Sequence, residues 1–273
     1  MAYCMTSRPL SLLPAVLLAA LVGAATAAPS RILEQSVDYP GSEGETPAHI
    51  YRPEGGGRGP GILILHTIAG PGPNVEAFAR RLAAQGFVTM TPDLFSLHEF
   101  GPEGRADHPL VLKDLDGALD FLRRHPAVEP SRIGVVGFSF GGRLALIAAA
   151  GHPDLKAVVV HYAVASYQEF AKERPVAGRA LQTRPAADFA PSIRAPVLIH
   201  HGLADRSIPA SQGVLLHRAL TAAGKQATLH LYPDADHLFN FEIASEGPGT
   251  YREEAARLSW ERTLEFLKQH LSH

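Results

Sequence analysis

The sequence predicts an α/β fold with a mostly parallel central sheet and helices on both faces. Short β-rich runs alternate with segments of helical spacing, the order that βαβ units produce. Most of the runs are continuous apolar stretches, as in strands covered on both faces, and do not alternate as one-sided strands do. At 273 residues, 46% hydrophobic and 19% charged, the chain has the length for one full core and the balance of a globular domain. That balance excludes a disordered or multispanning membrane chain.

Residues 1–27 stand apart from this pattern. Arg8 precedes an apolar run at 10–22, small residues follow, and Ala25-Thr26-Ala27 has the A-x-A spacing of a signal cleavage site. A cleavable signal peptide is expected, with the mature start near Ala28 and a periplasmic or secreted address. The run is shorter than the ~20 residues of a bilayer span and holds Pro14, so no stable membrane anchor is expected after cleavage. Cleavage takes one Arg and no acidic residue from a chain of formal net charge −2, leaving −3, and it removes the single cysteine, Cys4. Stability must then come from the core without disulfides. The 25 Lys+Arg stand against 27 Asp+Glu with no basic run, so nucleic acid is not an expected partner.

Residues 28–273 read as a single domain. Segments 33–39 and 48–51 form an expected antiparallel edge pair, separated by a turn containing Gly and Pro. Strands are then predicted at 61–66, 87–91, 132–137, 156–161, 195–200 and 227–232, with helices at 76–85, 110–124, 143–150, 211–223 and 251–270. In the first of these helices Ala77, Phe78, Arg81, Leu82 and Ala84 show the i, i+3, i+4 rhythm. Connections 93–109, 163–194 and 233–249 exceed an ordinary βα loop. In a doubly wound sheet the loops after strand carboxyl ends build the ligand crevice, so the extra chain lies where a pocket belongs.

The sharpest local signal is Gly137-Phe138-Ser139-Phe140-Gly141-Gly142, between a predicted strand and an Ala/Leu-rich helix. This is G-x-S-x-G in the setting that gives it mechanical meaning. A tight strand-to-helix turn lifts the serine hydroxyl clear of the sheet, and the next amide faces the place where charge develops on an attacked carbonyl. Serine needs a base, and the base needs an orienting carboxylate. The expected chain order is Ser, Asp or Glu, His, each after a later strand. Ser139 is therefore assigned as nucleophile, Asp205 as orienting carboxylate and His237 as general base, with the Phe140 amide as oxyanion donor. Asp205 also reads as a turn or capping residue, Asp234 and Asp236 as rival orienters, and His237 as a loop histidine.

The adjacent His200 and His201 point to opposite faces of a strand and cannot share one metal. No H-E-x-x-H or carboxylate-histidine cluster occurs, so neither metal nor cofactor is expected. His66, ending a strand, reads either as pocket lining or as a satisfied strand-end histidine.

With these residues placed, residues 61–271 resemble the dienelactone hydrolase family of the α/β-hydrolase fold. The resemblance rests on Pro92-Asp93-Leu94-Phe95, the serine motif, His201-Gly202-Leu203-Ala204-Asp205 with Ile208-Pro209, and Tyr232-Pro233-Asp234-Ala235-Asp236-His237-Leu238-Phe239. It implies a second oxyanion donor at the Ile68 amide. It also exposes three departures. Ser139 stands where founding members carry cysteine, Thr67 stands where they carry an activating glutamate, and Leu97 and Phe241 stand where arginines hold the lactone carboxylate. Losing two cationic anchors removes the means of desolvating an acidic substrate.

A neutral, apolar ester is thus the expected small-molecule partner, with Phe138, Tyr162, Leu97, Phe239, Phe241 and His66 as candidate pocket residues. A thioester or lactone is within reach of the same chemistry. Two alternatives share the fold: a non-catalytic ligand-binding protein, disfavoured by an intact triad, and a small peptidase-like hydrolase, disfavoured because the chain has no room for a gating domain.

Overall fold

The computed structural model describes residues 31–99, 107–175, 178–243 and 251–272. The expected signal peptide, residues 1–27, lies outside them. Among the described residues no helix is long and apolar enough to cross a membrane.

Among the described residues eight strands form one sheet: β1 (Ile32–Pro40), β2 (Glu45–Pro53), β3 (Gly59–Leu65), β4 (Val88–Pro92), β5 (Val128–Phe138), β6 (Ala157–His161), β7 (Val197–Gly202) and β8 (Ala227–Tyr232). Their spatial order is β1-β2-β4-β3-β5-β6-β7-β8. The β1–β2 and β2–β4 pairs are antiparallel, and the others run parallel. The helices are α1 (Pro73–Ala83), α2 (Pro109–Arg124), α3 (Phe140–Gly151), α4 (Tyr167–Phe170), α5 (Ser211–Ala222) and α6 (Glu253–Leu271). Two 3₁₀ segments, Gly178–Gln182 and Ala186–Ser192, follow α4.

The period of two along each strand divides its side chains between two cores. Leu63, Leu65, Val135, Val158 and Val160 pack with Leu119, Leu144 and Leu216 of α2, α3 and α5. Ile62, Ile64, Val136 and Val159 pack on the other face with Phe78 and Leu82 of α1 and Trp260 and Leu267 of α6. Both faces demand apolar residues, which is why these strands read as continuous runs. Each such side chain contributes ~1.5–3 kcal/mol of burial.

Of the boundaries that differ from those predicted, three have a clear local reason. Strand β5 starts at Val128 because its pairing with β3 jumps from Pro60↔Glu129 to Gly61↔Ile133. Pro130 sits in that irregularity, where its missing N–H leaves no ladder bond unmade. Helix α1 starts at Pro73, a residue whose fixed φ suits a first turn. Helix α3 starts at Phe140, directly after Ser139, because the turn carrying the serine is itself the helix start.

The chain leaves β3 for β4 on one side and returns to β5 on the other side of β3. Loops leaving β3 and β5 therefore diverge at a topological switch point, the place where an open α/β sheet forms its crevice.

Candidate active site

Ser139 occupies the left-handed region, with φ 55° and ψ −113°. Such backbone is costly for a residue with a Cβ and persists only where its surroundings enforce it. Here they do so by close approach. A Cβ on Gly137 would strike the Gly141 carbonyl, and one on Gly141 would strike the carbonyls of Leu65 and His66. The Ser139 amide donates to the His161 carbonyl at 2.9 Å, and the Ser139 carbonyl accepts from Gly142 at 3.0 Å. Tyr162, directly after β6, and Asp234 and Leu238, in the loop after β8, also have positive φ. Strained backbone thus gathers at the carboxyl edge of the sheet.

Three side chains meet there. The His237 Nε2 lies 3.0 Å from Ser139 Oγ, and its Nδ1 lies 2.8 Å from Asp205 Oδ2. The other carboxylate oxygen of Asp205 accepts from the amides of Ser207 at 2.9 Å and Ile208 at 2.7 Å. Burial alone raises the pKa of Asp205. Hydrogen bonds from His201 and His237, with the His237 charge and the Ile208 amide, outweigh it and hold the carboxyl well below its usual range. The Tyr162 ring packs at 4.6 Å from the His237 ring, and its hydroxyl donates to Asn240 Oδ1 at 2.9 Å.

The rival carboxylate is engaged elsewhere: Asp236 accepts from the Arg206 amide at 2.8 Å, Arg206 Nε at 2.6 Å and the His237 amide at 2.8 Å. Ile68 and Phe140 border Ser139 from the two diverging loops. Phe140 opens α3, and amides in a first helical turn have no acceptor within the helix. The loop holding Ile68 is closed by the Gly70 amide on the Thr67 carbonyl at 3.1 Å.

A cavity of about 340 Å³ opens over the serine, lined by Thr67, Ile68, Ser139, Phe140, Val164, Tyr167, Phe170, Ser207, Ile208, His237 and Leu238. Among the described residues no Asp, Glu, Lys or Arg is in this lining. A second cavity of about 290 Å³ shares Thr67 and is walled by residues 69–75 and Phe241. Among the described residues no three His, Cys, Asp or Glu side chains gather as a metal-binding group.

The model of the dienelactone hydrolase family matches residues 46–271. The chain belongs to the dienelactone hydrolase family. It is similar to a protein of Salmonella typhimurium named "Putative carboxymethylenebutenolidase", 32% identical over 247 residues that cover 85% of each chain. It is 30% identical over 222 residues to the carboxymethylenebutenolidase of Rhodococcus opacus, covering 79% of this chain and 83% of that one. Among solved structures, "Putative Dienelactone Hydrolase from Klebsiella pneumoniae" superposes with a TM-score of 0.74 at 28% identity, over 88% of this chain and 99% of that one. The sheet and these neighbours make the fold that of the α/β-hydrolases.

Against this family frame, the candidate pocket residues mostly fall elsewhere. Phe138 shares the strand face of Val136 and lies in the core between Phe78 and Phe241, at 5.0 Å from each ring. Phe239 turns inward against Tyr232, and Tyr162 backs the imidazole from within the core. Leu97 is 37% exposed and borders neither cavity. Phe241 walls only the second cavity. His66 is the satisfied strand-end histidine: its Nδ1 bonds the Thr67 carbonyl at 2.8 Å and its Nε2 accepts from the Leu94 amide at 3.2 Å. Thr67 does not replace an activating acid, since a threonine hydroxyl carries no ionisable carboxyl; it accepts from the Ala69 amide at 3.2 Å.

The walls that sequence reasoning missed are Val164, Tyr167, Phe170, Ile208 and Leu238. Their signal was present in part. Ser166-Tyr167-Gln168-Glu169 has the S-x-x-E form of a capping box, and the Ser166 hydroxyl accepts from the Glu169 amide at 3.2 Å. That cap makes a short helix inside a long connection and turns Tyr167 and Phe170, three residues apart, onto one face.

Proposed function

We propose that this chain is an exported serine hydrolase that cleaves neutral carboxylic esters through an acyl-enzyme. The observation that carries the reading is the unbroken line from Asp205 through His237 to Ser139 Oγ, at 2.8 and 3.0 Å. In the proposed cycle His237 Nε2 takes the hydroxyl proton as Oγ bonds to the substrate carbonyl carbon. The carbonyl electron pair moves onto oxygen, facing the amides of Phe140 and Ile68. Collapse breaks the bond to the leaving alcohol, which receives the proton from His237. Water then repeats the sequence on the acyl-Ser139 ester, releasing acid. A carboxylate needs paired donors when it leaves water, and the lining over Ser139, which among the described residues holds no Asp, Glu, Lys or Arg, favours neutral substrates over anionic lactones. The 1–27 segment supports export.

The test is turnover of neutral p-nitrophenyl esters by residues 28–273 beside Ser139→Ala, with a fluorophosphonate label. Turnover and labelling that both vanish in the variant are expected. A folded wild-type protein with neither activity refutes the reading, and faster turnover of anionic lactones refutes the neutral-substrate part.

A further inference from the structure

We propose, on the serine-hydrolase reading above, that His201 is a positioning residue whose Nε2–H holds the 205–208 turn and shares the Asp205 oxygen on which His237 depends. Residues 200 and 201 end β7 on opposite faces. His200 turns to Tyr232 Oη and Thr263 Oγ1, at 2.8 and 3.0 Å. His201 turns the other way, fully buried, with Nε2 at 2.9 Å from the Ile208 carbonyl and 3.5 Å from Asp205 Oδ2. Oδ2 is the oxygen that accepts from His237 Nδ1.

A carbonyl only accepts, so the proton sits on Nε2. The other nitrogen, Nδ1, is buried without a hydrogen-bond partner, and a proton there would be an unsatisfied buried donor. The ring is therefore the neutral Nε2–H tautomer, kept in place by α5. A Cβ on Gly213 would come to 2.9 Å from Nδ1, so only glycine lets the helix pass this close.

The groups facing Asp205 are His201 from β7, His237 from the loop after β8, and the Ser207 and Ile208 amides from its own turn. Arg206, next in sequence, is paired away with Asp236. Within that set His201 is the one donor that competes with His237 for Oδ2. A donor on a carboxylate draws off part of its charge and weakens its hold on an imidazolium. His201 thereby takes part of the Asp205 Oδ2 charge away from His237 Nδ1. The two amides on Oδ1 keep the carboxylate placed and ionised when His201 is changed.

The experiment is the pH dependence of kcat/KM on a neutral p-nitrophenyl ester for wild type, His201→Asn and His201→Gln. Glutamine carries an N–H near the Nε2 position, whereas asparagine is too short to reach it. The acid limb of His201→Asn is expected to move up by about half a pH unit, read as about threefold lower kcat/KM on that limb. His201→Gln restores the wild-type limb. Coincident limbs for wild type and His201→Asn, or equal shifts in both variants, overturn the proposal.

Should His201→Asn fail to fold, long-range ¹H–¹⁵N spectra of wild type decide. A neutral Nε2–H ring is expected, and an Nδ1–H ring overturns the proposal. Wild type that neither turns over esters nor takes the fluorophosphonate label refutes the hydrolase reading itself. Active wild type with unmoved limbs refutes only the role of His201.

Discussion

Arg206 decides which carboxylate serves His237. Its backbone amide and Nε reach the two oxygens of Asp236 at 2.8 and 2.6 Å, so the carboxylate next to the histidine in sequence is turned away from the imidazole. Asp205, from a different loop, takes the Nδ1 position. Asp205→Asn is accordingly expected to lower kcat by about 10³–10⁴, through loss of the tautomer and of imidazolium stabilisation. Asp236→Asn touches a pair whose arginine is largely exposed, worth at most about 1 kcal/mol, and should leave kcat/KM within about fivefold. Steady-state kinetics of the two variants side by side check this. A collapse in Asp236→Asn equal to that in Asp205→Asn sinks the assignment.

Ser139 offers a stability signature of its role. With φ at 55°, alanine at this position removes the hydroxyl but keeps the strained backbone, whereas glycine removes both. Ser139→Ala and Ser139→Gly should lose activity alike, by several orders of magnitude. Ser139→Gly should be more stable than Ser139→Ala by about 1 kcal/mol, roughly 2–4 °C in Tm at this chain size. Equal melting temperatures would show that the turn stores no strain.

Strand period and loop order made the sheet, the triad residues and the proposed Phe140 oxyanion position legible in sequence, because each is fixed within a few residues of a strand end, whereas the Ile68 position came from the family resemblance alone. Pocket walls were not legible for the opposite reason. Phe138 and Phe239 are aromatic residues beside the site in sequence, yet the strand parity at 138 and the tight turn before 239 send both rings into the core. Tyr167 and Phe170 come from a connection whose path depends on what it packs against. Arg143 illustrates this dependence: it follows the serine by one helical turn, but its partners Asp107 and Arg184 lie in two separate connections.

Buried histidines make stability fall with acid. His161 is fully buried among Phe78, Phe138 and Tyr162, and burial pushes its pKa down to about 3 from 6.5. Burial, reinforced by neighbouring positive groups, likewise lowers His200. A folded value below the unfolded one means that the unfolded chain binds the extra proton. Stability is complete above pH 6.5 and is lost as pH falls from there toward about 3 for His161. The slope is about 1.4 kcal/mol per pH unit for each histidine. Urea unfolding from pH 7 to 4 should show it, and His161→Phe should flatten it by one histidine's share. An unchanged slope in that variant contradicts the assignment.

Arg143 is fully buried, with Nε on Asp107 Oδ1 at 2.8 Å, Nη2 on Asp107 Oδ2, and Nη2 also on the Arg184 carbonyl at 2.6 Å. Its guanidinium lies 5.2 Å from the ring centre of Tyr167, a wall of the cavity over Ser139. One side chain thus ties α3 to the connections after β4 and β6, and through Tyr167 to the pocket. Asp107→Ala strands a buried charge, for which the expected cost is about 3–5 kcal/mol, or roughly 10 °C in Tm. Adding Arg143→Met removes the stranded charge and should recover more than half of that loss, since a buried pair can often be exchanged for apolar side chains at little cost. In both variants KM should rise for bulky esters more than for acetates, because the Tyr167 wall loses its anchor. Thermal melts and a KM series over ester size test the two halves separately. A double variant no more stable than Asp107→Ala would show that Arg143 carries no stranded charge, and a KM increase independent of ester size would show that it does not shape the pocket.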